Sequence, residues 1–205
     1  NKKYLGIAVL IFCLAVVSVF GVQYAIKHKN QKAQDMLATA VDSYMAPVVT
    51  AADIEKQPEL KKYTTFSDEK SKYENALEQF QGVINAYPGT KNGQLALFYA
   101  ANCAYKLERY QDAAEKYQLY LDKVGTDDPD SFSLLATEGL AYCYDSLGEL
   151  DKAIEQFNEA VRIDPGSEEA EDILASAIMR KDSVNSAIEK VEKALKQSQE
   201  DPKLY

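Results

Sequence analysis

The chain has 205 residues and a formal charge of -9, yet residues 1–30 carry Lys2, Lys3, Lys27 and Lys29 and no acid, so the remainder holds -13. A surface that acidic repels nucleic-acid phosphate and anionic headgroups, which removes nucleic acid from the expected partners. The one histidine, His28, lies beside the apolar N-terminal segment, and no nucleophile with a histidine partner, metal-ligand cluster or Gly-rich phosphate loop occurs elsewhere, so the reading is non-enzymatic, with no cofactor and no metal.

In chain order, Leu5 to Val22 is uncharged with Ser18 its one polar interruption, and Tyr4 to Ile26 adds interfacial flanks. At ~1.5 Å per residue that stretch reaches roughly 34 Å, and its apolar run exceeds the ~7 to 15 residues of a cleavable signal. Residues 1–30 are therefore expected to be a single transmembrane anchor, contacting the membrane through residues 4–26. Cys13 follows Phe12, which is too bulky for lipoprotein processing. Lysines on both sides leave the orientation undecided by charge. An N-terminal anchor before an acidic domain favours a bacterial inner (cytoplasmic) membrane protein with its domain extracytoplasmic.

Residues 31–66 read as a stalk helix and an insertion loop. Ala33, Met36, Leu37, Ala40, Val41 and Tyr44 recur with helical period up to Pro47, and 47–66 has Pro58 and little periodicity. A helix restarts near Ser67 and stops at Tyr87-Pro88-Gly89-Thr90, with Tyr73, Ala76 and Phe80 on one face. It reads as the second half of a partial unit ending near 90, whose first half is 31–46.

Residues 67–201 repeat themselves. Leu140, Ala141, Tyr144, Gly148, Ala153, Phe157, Ala160 and Pro165 place small, aromatic and turn residues at fixed offsets, and Ala101, Tyr110, Ala113 and Tyr117 match them one unit upstream, with Glu108 where the turn glycine stands. Ala141 and Ala153 suit a close helix approach, Tyr144 and Phe157 fill the space beside it, Gly148 permits a tight turn and Pro165 stops the second helix. The units run over 94–127, 134–167 and 168–201, the last degenerate, with Ala175, Ala187 and Ala194 in register and Ile178 and Val191 at the aromatic positions. Residues 202–205 read as a tail. Cys103 and Cys143 occupy equivalent positions in adjacent units, where a spacing of ~10 Å exceeds the ~7 Å a disulfide tolerates, so both are expected to be small buried residues.

These offsets resemble the tetratricopeptide repeat, a unit of ~34 residues built from two antiparallel helices. A span, a stalk and then Tyr87-Pro88-Gly89-Thr90 followed by Ala101 to Ala114 resemble the membrane-anchored bacterial tetratricopeptide proteins related to the ancillary subunit of the Sec translocon. The fold class expected is all-α: one N-terminal transmembrane helix followed by a tetratricopeptide-type helical-hairpin solenoid.

The resemblance implies a scaffold that binds protein partners along a groove lined by the first helix of each unit. In this register the groove positions are Leu95, Phe98, Asn102, Tyr105 and Lys106, then Leu135, Glu138, Tyr142, Asp145 and Ser146, then Met179 and Arg180. The sharpest partner-binding candidates are Phe98, Asn102, Tyr105, Tyr142, Asp145 and Met179. Chaperone-tail adaptors of the family grip a terminal carboxylate with a lysine, asparagine and arginine clamp. Asn102 survives here, but Phe98 and Glu138 stand where cations are needed, which argues against a carboxylate-tail ligand. The expected partner is a protein, an integral membrane complex above all. The chain would be its assembly scaffold, an accessory subunit of a respiratory or photosynthetic complex, or a translocon-associated factor.

Overall fold

The computed structural model describes residues 2–124 and 131–200, with side chains described from residue 16 onward except at 61, 131, 169, 194 and 197–200. The tail 202–205 with Tyr205, the loop residues 125–130 and the side chain of Cys13 lie outside the described residues. The fold is all-α: α1 Lys2–Met45, α2 Ala51–Lys56, a 3-10 turn Pro58–Lys62, α3 Glu69–Ala86, α4 Lys91–Lys106, α5 Tyr110–Val124, α6 Ser131–Ser146, α7 Leu150–Ile163 and α8 Glu168–Glu200. Contacts divide the chain into two compact units, Asn1–Cys103 and Ala104–Tyr205.

In the first unit, Leu37 and Ala40 of α1 share a core with Ala76, Phe80 and Val83 of α3 and Ala96, Ala100 and Cys103 of α4. The spacings of three and four residues put each set on one helical face, and the alanines let the backbones close around Phe80. Tyrosines seal the edge. Tyr99 stacks on Phe80 at 5.3 Å and 10°, and Tyr44 meets Phe80 edge-on at 6.3 Å. Burial pushes the Tyr44 hydroxyl up to about 12, with Cys103, Tyr73 and Tyr99 adding to it.

The 47–66 insertion is more ordered than its composition predicts. Thr50 and Asp53 form a reciprocal capping box that starts α2, and Pro58 opens the 3-10 turn. Its feet are tied together, since Phe66 N–H donates to Pro47 O at 3.1 Å and Val49 N–H to Phe66 O at 2.9 Å. A helix of six residues is too short to show a period, which is why the pattern reads as a loop. Downstream, Asp68 caps α3 by accepting from Ser71 N–H at 2.7 Å. At the turn into α4, Thr90 Oγ1 accepts from Gly93 N–H at 3.0 Å.

In the second unit α5 packs on α6, α6 on α7 and α7 on α8. Ala141, Ala153, Phe157 and Ala177 form its core, with Tyr142, Tyr144, Ile154, Ile173 and Leu174 against them. The helices approach so closely that a Cβ on Gly139 would sit 2.4 Å from Tyr117 Cζ. Two turns use the left-handed backbone, Glu108 at φ 59° and Gly148 at φ 75°. Each closes with the same long hydrogen bond: Arg109 N–H to Ala104 O at 2.9 Å, and Glu149 N–H to Tyr144 O at 2.8 Å.

Two expectations are corrected. Among the described residues no helix is long and apolar enough to cross a membrane. That finding overturns the single-pass inner-membrane placement, and with it the extracytoplasmic side. Of the expected span Tyr4 to Ile26, which lies within α1, Val16 to Ile26 have described side chains and these are exposed. The remainder, 4–15, has its side chains outside the described residues. Secondly, the final degenerate repeat is not a hairpin. Residues 168–200 form one helix of 33 residues, because this stretch holds neither glycine nor proline to turn or stop it.

Candidate functional site

The groove candidates fall into different surroundings. Phe98 is buried with its ring edge-on to Tyr99 at 5.4 Å, which leaves it almost no area for a partner. Asn102 is half-buried on α4 of the first unit. Tyr105 turns toward the start of α5, its ring 5.4 Å from that of Tyr110. Met179 is 64% exposed. Among the described residues, Tyr142 and Asp145 come together in a cavity.

That cavity, about 280 Å³, lies among α6, α7 and α8 and is lined by Tyr142, Asp145, Phe157, Asp172, Ile173, Ser176, Ala177 and Arg180. Its apolar side follows from packing. Phe157 is fixed by Ala153 and Ala160 on either side, all three buried, and Tyr142 meets its ring edge-on at 5.4 Å and 82°. Asp145 sits one helical turn beyond Tyr142, so the carboxylate and the ring share one face of α6. Across from them Ile173, Ser176, Ala177 and Arg180 follow at three- and four-residue spacing on α8.

Electrostatics give the cavity its direction. Arg180 Nη1 donates to Asp145 Oδ2 at 2.6 Å, with the arginine side chain 56% exposed, so the pair contributes ~1 kcal/mol or less to stability. The other oxygen, Asp145 Oδ1, is buried with no hydrogen-bond partner. A carboxylate oxygen accepts only, so a donor entering the cavity would pair with it. With Asp172 also on the wall, two carboxylates face one guanidinium already engaged. The space accepts one large side chain and is small for a cofactor.

A second hollow of about 370 Å³ on α5 is lined by Gln111, Ala114, Glu115, Gln118, Leu119, Asp122 and Tyr144. Its polar liners satisfy one another, Gln111 with Glu115 at 3.3 Å and Gln118 with Asp122 at 2.9 Å, so it presents no comparable demand.

Sequence reasoning missed Asp172, Ile173, Ser176 and Ala177, and assigned Phe157 to packing alone. The signal was present in the 173, 176, 177, 180 spacing, one face of the helix that follows Pro165. The repeat-packing residues take these places: Ala101, Ala113, Tyr117, Ala141, Ala153, Phe157 and Ala160 are buried, Tyr144 is half-buried beneath Lys152 Nζ at 5.1 Å from its ring, and Pro165 is exposed beyond the end of α7. Cys103 and Cys143 are free, buried thiols, each pushed up to about 12 by burial. They are poor nucleophiles and poor ligands in that state. Among the described residues no group of His, Cys, Asp or Glu is placed to hold a metal ion.

Family models described as tetratricopeptide repeat match residues 69–132 and 136–167. No curated protein matches the sequence. Among solved structures, the first TPR of Spaghetti (RPAP3) bound to HSP90 peptide SRMEEVD is 14% identical, with 74% of this chain and 94% of that one covered at a TM-score of 0.50. MamA from Desulfovibrio magneticus RS-1, residue 41 to its end, is 24% identical over 64% of this chain and 70% of its own at 0.48. The second TPR domain of human RPAP3, in complex with HSP70 peptide SGPTIEEVD, is 21% identical over 53% of this chain and 83% of its own at 0.45. The family models and the match at a TM-score of 0.50 carry the repeat fold and not the narrower resemblance to translocon-associated proteins.

Proposed function

We propose that the chain is a protein-binding scaffold whose second unit takes a segment of a partner into the hollow between α6 and α8, with Tyr142 as aromatic anchor and Asp145 as acceptor. The observation that carries this reading is the Asp145 carboxylate, with Oδ1 accepting from no protein donor, beside an aromatic wall in a cavity of side-chain size. Repeats of this kind in RPAP3 are seen with bound peptides, which supports a peptide-type ligand. The charge balance differs, however. Those peptides end in acidic residues, whereas Asp145 and Asp172 outweigh Arg180 here and favour a lysine, arginine or amide side chain.

Assembly or stabilisation of a multiprotein complex is the task that suits such a scaffold. The versions tied to a membrane complex lose the span that supported them. A peptide array probed with the full chain tests the reading. Wild type should retain a subset enriched in lysine or arginine, and Tyr142→Ala should lose it. Identical binding by both chains would refute the site.

A further inference from the structure

Arg180 reaches the α6–α8 hollow from its rim. On α8 it follows the liners Ser176 and Ala177 at helical spacing, so its stem shares their face and its head crosses to α6. The two partners are unequally buried, with the Asp145 side chain 20% exposed and that of Arg180 56%. The acceptor is thus a fixed part of the wall, whereas the donor comes from the solvent side on a long, flexible stem.

The hold is incomplete. A guanidinium fork can pair with both oxygens of a carboxylate, which is the stronger arrangement. Here Arg180 Nη1 donates to Asp145 Oδ2, while Oδ1 accepts from no protein donor. An exposed pair of this kind shifts an equilibrium by about fivefold or less, so another donor can replace it.

Charge makes the replacement one of exchange. A cation that enters to pair with Asp145 comes close to the guanidinium already there, and the two repel. Of the charged liners, Asp145 and Asp172 are acidic and Arg180 is basic, so withdrawing the guanidinium strengthens the field that draws a cation in. An uncharged donor meets no such conflict and can take Oδ1 with the pair intact. Lys181 supplies the contrast, since it pairs with Asp151 of α7 and does not line the hollow.

We propose that Arg180 is a built-in competitor for this hollow: its guanidinium holds Asp145 in the free protein, and a cationic side chain of the partner binds by displacing it. The inference rests on the reading of the hollow as a cation-accepting site and adds what controls entry to it.

The test is fluorescence anisotropy of the full chain with two labelled libraries of short peptides, uncharged except for a central lysine in one and carrying norleucine in its place in the other. Wild type should prefer the lysine library. Arg180→Gln should tighten that binding by about three- to fivefold and leave the norleucine library unchanged, while Lys181→Gln, which removes the same charge, should change neither. Both side chains lie at the surface, so the helical spectrum should stay as in wild type. In NMR spectra of the arginine side chains, of which the chain has three, the signal lost in Arg180→Gln should move in wild type as the lysine library is added. No preference for lysine in either wild type or Arg180→Gln refutes the hollow as a cation site, and this inference falls with it. A lysine preference that Arg180→Gln leaves unchanged or weakens, or that Lys181→Gln strengthens equally, overturns the competitor alone. So does a bound lysine library that leaves the Arg180 signal unmoved.

Discussion

Glu108 and Gly148 occupy the same left-handed turn in successive hairpins, and only one of them is the residue that turn favours. An L residue there costs ~1 to 2 kcal/mol, while glycine gives back ~0.5 to 1 kcal/mol through the freedom it adds to the unfolded chain. Glu108→Gly should therefore stabilise by about 0.5 to 1 kcal/mol and Gly148→Ala should destabilise, both read by urea unfolding of the full chain. Ala141→Leu and Ala153→Leu should each cost ~1 to 3 kcal/mol in the same measurement, since both positions are fully buried between helices. Unchanged midpoints for both leucine variants would contradict the packing. The alanine register was legible in the sequence because a close helix contact tolerates little else. Phe98 was not: the repeat offset places it on the groove side of α4, but its burial depends on neighbours that no offset reveals.

Helix α4 ends near one buried thiol and α6 carries the other. Cys103 and Cys143 ordinarily ionise near 9.0, and burial lifts each to about 12. A raised folded-state value means that the folded protein resists losing the proton. The contribution is complete below pH 9.0 and is lost as pH climbs through 12, at up to ~1.4 kcal/mol per thiol per unit. Stability measured by denaturant should fall across that window, and substituting both cysteines by alanine should flatten the fall. Thiol labelling of Cys103 and Cys143 at pH 8 should proceed only as fast as the helices open. At this scale the sequence was most legible where proline or glycine punctuates it, as at Pro47, Pro88, Gly148 and Pro165. It misled where punctuation is missing, so 168–200 was divided into a hairpin although nothing in it can turn. Apolar length likewise suggested a span, whereas among the described residues no helix is long and apolar enough to cross a membrane.

For the molecule as a whole, the tetratricopeptide-type fold supplies repeated hairpins, and the acidic balance biases what they bind. A cationic segment should be drawn to Asp145 and Asp172 and should bind more weakly as salt rises, because the Debye length shrinks from ~10 Å at 0.1 M to ~3 Å at 1 M. Binding that strengthens with salt would point to an apolar ligand instead. That the chain is built of paired helices in repeat was readable from its offsets, since they specify helix pairing and no chemistry. Where the proposed site lies was only half readable, because the α6 side follows from the repeat register, whereas the α8 wall depends on a helix that abandons it. The most direct measurement is retention of a co-purified partner by Tyr142→Ala against wild type, with both shown to be equally helical by circular dichroism. A tenfold or greater loss for Tyr142→Ala is the predicted result, in keeping with the ~2 kcal/mol that one aromatic anchor commonly contributes. Equal retention by Tyr142→Ala and wild type would contradict the assignment of the α6–α8 hollow as the binding site.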